Sequence, residues 1–452
     1  MTTHDDDIDG YFSAARVTGR AGAIELPPDG YRDHLYDLDD PVLAGSRGMD
    51  YEEFSADRQT APFLQELLAY WDGLYREPFV GITIDGQVRE GLYRLADEPA
   101  QNDIVPVEAA RRVLELLTDG QRELIRHDID SPEWRAWSNP EFVFHRVGLR
   151  LEALEDRVVE AVLEMVRCSL SPEGYDRVRE AMALNGFLGD LVDLPRIMND
   201  RSYWVSLFGD PSSDEPWGWQ LFGHHVAVNV VFVGGRQVVA PVFLGAEPAL
   251  SDGERPPLFE ARERLALDLA ESFTPSQRAH AVVYDSVLDP AMPEDRLHPA
   301  DERHVAGAFR DNRVVPYEGA SVRLFSASQK SLLLAIVQDF LLLLTSSQRS
   351  ATLHDVEAHL DETWFSWYGA TDGTQPFYFR IQSPVVLAEL DHHAGVWLSN
   401  RLPARFHVHT TLRLPNGNDY GKAYLSEWRR RAAGQSDAWT APVSPDADSS
   451  AS

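Results

Sequence analysis

Apolar positions recur with a helical period of about 3.6 through the first half of the chain, at Ala61 to Tyr75, Pro106 to Leu117, Arg150 to Cys168 and Pro172 to Phe187. Ser171 and Glu173 supply cap chemistry to the last of these. At Gln220 to Val233 (QLFGHHVAVNVVFV) the period falls to 2, and the run meets Gly234-Gly235 and leaves again as RQVVAPVFLGAEP. That pattern predicts a hairpin, because a tight primed turn needs positive φ at its centre. Helical periodicity returns from Pro257 to Leu288, with a break at Thr274-Pro275, and again in the apolar run Leu332 to Leu344. Three strand-like segments follow, Phe377 to Gln382, Val385 to Leu390 and Arg405 to Leu414. No internal repeat stands at a fixed period. The sum predicts an α+β fold, helices packed on a mainly antiparallel sheet, as a single large domain over residues 56–432. An acidic N-terminal arm (1–55) and a small, polar, disordered tail (433–452) flank it.

Composition narrows the function classes. Of 452 residues 44% are hydrophobic, enough for a sizeable core, and 41 Lys+Arg against 72 Asp+Glu give a net charge of −31. Such a field repels nucleic-acid backbones and anionic membranes, so neither is an expected partner. Leu332 to Leu344 is too short to span a bilayer and contains Gln338 and Asp339, which makes it a core helix. The start, MTTHDDDIDGYF, lacks the basic and apolar segments of a secretion signal, so the expectation is a soluble, cytoplasmic protein. The single cysteine, Cys168, excludes a disulfide, an iron–sulfur cluster or a thiolate zinc site within the chain and reads as a small buried apolar residue. Phosphate-loop, dinucleotide, nucleophile-elbow and H-E-x-x-H signatures are absent, and Lys330 and Lys422 are the only lysines.

The chemistry that remains is histidine chemistry. In Phe406 to Arg413 strand alternation puts His407, His409, Thr411 and Arg413 on one face, and imidazoles at i and i+2 can reach one metal ion. In Gly223-His224-His225-Val226, read as part of a strand, the two imidazoles point to opposite faces. His225 shares its side with Gly223, Ala227 and Asn229 and is the favoured ligand, with His224 a core or supporting histidine. Glu389, ending an apolar strand, is the candidate carboxylate, while Asp391-His392-His393 reads as a surface loop. Arg380 and Arg413 are candidate clamps for a substrate carboxylate. The aromatic motifs at Trp217 to Trp219 and Trp364 to Gly369 are candidate pocket walls.

Arg201 to Pro211 (RSYWVSLFGDP), Trp217-Gly218-Trp219, Gly223-His224-His225, Phe243 to Pro248 (FLGAEP), His407-Val408-His409 and Asn418 to Gly421 (NDYG), in that order, resemble the domain-of-unknown-function family 3500. The similarity runs from about Leu117 to Gly421; it implies one continuous domain and no activity. Where the family tends to carry an acidic residue after the arginine of the HxHxxxR segment, this chain has Leu414. The leading expectation is a metal-dependent enzyme, a non-haem Fe, Cu or Mn oxidoreductase slightly favoured, acting on a small organic molecule through His224 or His225, His407 and His409. The alternatives are a zinc-dependent hydrolase or lyase and a non-catalytic small-ligand-binding protein.

Overall fold

The computed structural model describes residues 30–433 apart from 38, 98–99, 254, 294–295 and 299. Residues 1–29 of the expected arm, and the expected tail from 434, lie outside them. From Tyr31 onward the chain packs on the body: Tyr31, Leu43, Tyr51 and Phe54 are buried. Among the described residues three α-helices come first, α1 (Pro41–Ala44), α2 (Tyr51–Thr60) and α3 (Pro62–Arg76). Asp50 and Glu53 form a capping box at the start of α2.

Two units with the same order of elements follow. The first comprises α4 (Ile104–Leu116), α5 (Asp119–Ile125), β1 (Arg126–His127), β2 (Leu149–Arg150), α6 (Asp156–Ser169), α7 (Pro172–Leu191), β3 (Tyr203–Phe208), β4 (Trp217–Gly223), β5 (Val226–Val233) and β6 (Arg236–Ala246). The second comprises α8 (Glu260–Glu271), α9 (Pro275–Ala281), β7 (Val282–Tyr284), β8 (Ala320–Ser321), α10 (Ala327–Phe340), α11 (Ser346–Ala358), β9 (Trp364–Tyr368), β10 (Tyr378–Gln382), β11 (Leu387–His392) and β12 (Val408–Arg413). A last helix, α12 (Lys422–Ala432), closes the chain.

The repetition extends to single residues. A Cβ on Gly148 (φ +85) would stand 2.1 Å from the Val205 carbonyl oxygen, and one on Gly319 (φ +86) 2.2 Å from that of Phe365. Gly209 N–H donates to the His127 carbonyl and Gly369 N–H to that of Tyr284, both at 2.9 Å. The spacing between such counterparts changes along the chain, so a search for a fixed period does not find them.

All twelve strands belong to one mixed sheet in the order β1-β3-β4-β5-β6-β12-β11-β10-β9-β7, with β2 on β3 and β8 on β9. β1 and β7 run parallel to their neighbours near the two ends, and the remaining pairs are antiparallel. Helices pack on one face, where Phe340 of α10 meets Phe379 and Trp219 Nε1 donates to Ser169 Oγ of α6 at 2.9 Å. The long β1–β2 and β7–β8 connections cover the other face: Trp134 stacks on Phe208, and the backbone at 303–306 binds carboxylates of β11. Among the described residues no helix is long and apolar enough to cross a membrane; the Leu332 to Leu344 run contributes to α10, with Leu333, Ile336, Val337 and Phe340 buried.

The predicted hairpin at Gly234-Gly235 is present, with φ of +56 and +77. The run Gln220 to Val233, expected as one strand, is two, because Gly223 pairs with Val226 and the chain turns at His224-His225. Strand β2 and a short turn occupy the first residues of the helix expected from Arg150. Cys168 is half-buried rather than buried, with Sγ 3.2 Å from Glu164.

Asp339, at the end of α10, accepts from Arg262 Nε of α8 at 2.7 Å and lies 3.6 Å from Arg177 of α7. Burial pushes its carboxyl up, and the two guanidinium groups outweigh burial and hold it below the usual carboxylate range. The contribution to stability is therefore complete above an ordinary carboxylate pKa of about 4 and is lost as pH falls through the lower folded-state value. Asp339→Asn is expected to cost about 3 kcal/mol at neutral pH, because it leaves buried cations uncompensated, and to flatten the acid limb of the stability curve. Urea unfolding between pH 7 and 2 measures both, and an unchanged acid limb would remove Asp339 from this role.

Candidate metal centre

The turn between β4 and β5 builds the first part of the site. His225 takes positive φ (+61), a conformation that non-glycine residues adopt at a cost, and it is held there from both sides. Its N–H donates to the Asn139 carbonyl at 3.2 Å, and its carbonyl accepts from Gly245 N–H at 2.8 Å. The turn also removes strand alternation, so the two histidine rings do not point to opposite faces; they stack 3.9 Å apart. His224 Nδ1 lies 2.8 Å from Asn185 Oδ1, while Asn185 Nδ2 donates to the Asn199 carbonyl. His224 is thus engaged away from the convergence point.

The second part comes from β12 and the residue before it. His407 Nδ1 is 2.6 Å from the Ala394 carbonyl, so that nitrogen carries the hydrogen and Nε2 carries the lone pair. His407 Nε2 lies 3.1 Å from His409 Nε2, which lies 3.0 Å from His225 Nε2. His409 Nε2 therefore faces two other imidazole nitrogens while holding at most one hydrogen. Metal–nitrogen bonds of about 2.0–2.1 Å put tetrahedral donors about 3.3 Å apart, close to this spacing. Burial first, and neighbouring imidazoles second, hold His225 and His409 well below the usual histidine range, and burial brings His407 down to about 3. All three rings are neutral donors at pH 7.

Backbone and carboxylates fix this geometry. Gly245 is the cross-strand partner of His409, in register across β6 and β12. Glu247 accepts N–H bonds from Val396, Trp397 and Leu398 at 2.8, 3.1 and 3.0 Å and pins the loop whose Ala394 carbonyl orients His407. Burial pushes its carboxyl up to about 7 against those donors. Glu302 accepts from the N–H of the same Ala394 at 2.8 Å and pairs with Arg303.

The other residues singled out from sequence lie around this centre without joining the triad. Glu389 is fully buried and accepts from Ala306 N–H at 2.8 Å, Val305 N–H at 3.1 Å and Tyr378 Oη at 2.9 Å, which straps the β7–β8 connection onto β11. Arg380 lies 3.3 Å from Glu318, and Arg413 pairs with Asp419 at 2.8 Å and Asp311 at 2.5 Å. None of the three lines the cleft at the histidines. Asp391-His392-His393, expected as a surface loop, is buried, with Asp391 and His392 in β11. His304, Glu302 and Asn139 carried no recognisable signal, since each comes from a long connection placed only by tertiary packing.

A small cleft of about 70 Å³ opens onto His225, His407 and His409, walled by Leu64 and Trp71 of α3, Phe142, Val396 and Glu302. The tryptophan motifs expected to wall a pocket pack in the core instead: Trp217 stacks on Phe232 at 4.8 Å and Trp367 on Phe377 at 4.5 Å. His304 also borders a separate cavity whose walls include Arg296, Arg310 and Arg313.

Residues 101–422 match the family described as Protein of unknown function (DUF3500), and the chain belongs to this family. The match includes the β4–β5 turn and the HVH segment. No curated protein and no solved structure matches the chain.

A Cβ at Gly245 would stand 2.8 Å from His409 Cδ2, 2.9 Å from the Val408 carbonyl and 3.0 Å from His225 Cδ2. Gly245→Ala is expected to cost about 1–3 kcal/mol and to move the two rings apart, whereas Gly253→Ala, whose Cβ would make only an ordinary contact with Ser251 Oγ at 3.5 Å, is neutral. Thermal unfolding together with imidazole ¹⁵N shifts reads both effects. A Gly245→Ala protein with wild-type stability and shifts would show that the rings do not depend on this close approach.

Proposed function

We propose that the chain is a metal-dependent enzyme in which His225, His407 and His409 hold a divalent ion at the floor of the cleft. The observation that carries this is the convergence of three Nε2 atoms at 3.0 and 3.1 Å from rings on two separate segments. Three neutral nitrogen donors without thiolate suit Fe, Cu, Mn or Zn. His225, His407 and His409 would hold the ion, which would supply activation of oxygen or water against a small organic molecule. The apolar and aromatic walls, Leu64, Trp71, Phe142 and Val396, favour an Fe, Cu or Mn oxidoreductase. Ala394 and Glu247 keep His407 turned towards the ion, and Gly245 gives His409 and His225 room to meet.

Zinc is the second reading, since three histidines with an open fourth position are also the donor set of zinc hydrolases and lyases. Glu302 at the cleft wall favours it by offering a carboxylate for proton transfer. On either reading the protein is a single large domain with helices on a mainly antiparallel sheet, cytoplasmic, with a small-molecule substrate and neither nucleic acid nor membrane as partner.

Elemental analysis of protein purified without a polyhistidine tag is expected to give Fe, Cu or Mn, with His407→Ala and His409→Ala losing the ion while circular dichroism stays unchanged. Zinc instead would select the hydrolytic reading. Full occupancy in both variants would overturn the ligand assignment, and no uptake by the wild type after reconstitution with each ion would leave a ligand-binding cleft.

A further inference from the structure

His304, Asp391 and His393 form a second convergence beside the first. One donor atom from each lies within 4.8 Å of the others, and all three residues are buried. Three observations distinguish this group from a hydrogen-bonded cluster. First, Nε2 of His304 and Nε2 of His393 are both buried without a hydrogen-bond partner. An unpartnered buried imidazole nitrogen is costly, and two in one group need a common partner. Second, His393 Nε2 stands 3.2 Å from Asp391 Oδ2 without forming a hydrogen bond. The two atoms are neighbours without being aimed at each other, as two ligands of one ion are. Third, His304 and Asp391 are each oriented by other groups, Asp391 Oδ2 itself accepting the Arg303 N–H at 3.2 Å. His304 Nδ1 is 2.9 Å from Thr411 Oγ1, and Asp391 Oδ1 accepts from Arg303 Nε at 2.6 Å. This is the outer support that orients metal ligands.

The buried carboxylates around this position are Asp391 and Glu302, both touched by Arg303, and Glu389, 3.8 Å from His304 Nδ1. The position also abuts the triad: the His393 ring lies 3.8 Å from the His409 ring, centroid to centroid, and the His304 ring 6.2 Å from it.

We propose that His304, Asp391 and His393 hold a second divalent ion adjacent to the one on His225, His407 and His409, so that the site is binuclear. The inference rests on the three-histidine reading and extends it. Two adjacent ions would suit a substrate that offers a pair of oxygens, as in a hydroxy acid or a carboxylate, rather than a lone neutral atom.

Equilibrium dialysis of the metal-free full-length protein against Zn(II) tests the stoichiometry, and loading with Cu(II) tests proximity by electron paramagnetic resonance. The expected result is two equivalents of zinc and a magnetically coupled copper pair. His304→Gln and His393→Gln are expected to bind one equivalent each and to give the spectrum of an isolated copper ion. Wild-type protein that saturates at one equivalent, removed by His407→Ala, would overturn the second position and leave the three-histidine reading standing. Two equivalents retained in both variants would overturn the ligand set, and no binding by the wild type would overturn both readings. Should either variant fail to fold, the wild-type stoichiometry and coupling decide the question alone.

Discussion

The pairing of β6 with β12 is the constraint on which the remaining structure depends. Among the described residues it is the only strand pairing between the two repeated units, and its register sets Gly245 opposite His409. Gly245 also donates its N–H to the His225 carbonyl. One backbone position therefore joins the units, holds the strained β4–β5 turn and leaves room for two rings to meet. A slip by one residue would turn His409 to the helix-covered face and replace Gly245 with a side chain. The site is in this sense a consequence of how the two units dock.

Placing so many ionisable groups under a covered face is expensive, and the structure offsets the cost with backbone donors. Glu389, Glu247 and Glu302 each accept N–H bonds from irregular segments that would otherwise bury unsatisfied amides. Glu389 thereby straps one loop to β11, Glu247 straps a second to the end of β6, and Glu302 ties the two loops together; these loops carry His304, His393 and the Ala394 carbonyl. Rigidity of the site and satisfaction of buried polar groups are one arrangement here, without a separate scaffold. The network Arg135–Asp311–Arg413–Asp419 does the same further along the sheet, where guanidinium and carboxylate groups share burial.

Period and spacing made part of this legible in the sequence. The helical period marks α3, α4, α6, α7 and α10, and alternation marks β12 with His407, His409, Thr411 and Arg413 on one side. Alternation does not say whether a polar face meets water or a covering loop. That is why Arg413 read as a clamp and Glu389 as a ligand, when one is tied to two aspartates and the other to backbone amides. The doublet His224-His225 read as strand because apolar alternation runs through it, whereas a two-residue turn with positive φ at a histidine has no signal of its own. His304 lies in a long connection with no periodicity, and its place beside Thr411 is set by contacts over a hundred residues away.

The repetition also explains where chemistry arose. At corresponding places the first unit pairs Gln220 with Asn229 and the second pairs Arg380 with Glu389. The amide pair carries no charge: Gln220 Nε2 donates to Asn229 Oδ1 at 2.6 Å and to the Trp134 carbonyl at 2.7 Å, and Asn229 Nδ2 donates to the Pro241 carbonyl at 2.8 Å. A neutral pair of this kind needs no further charge and leaves the first unit's covered face without metal ligands. In the second unit the carboxylates of β11 demand donors, and the β7–β8 connection supplies them while bringing His304 and Arg303 with it. The turn between β4 and β5, whose counterpart in the second unit is Pro384-Val385, contributes the one histidine the second unit lacks. Two units with one backbone plan thus divide the labour, the charged one supplying most ligands and the neutral one the closing residue, and the site exists only where they join.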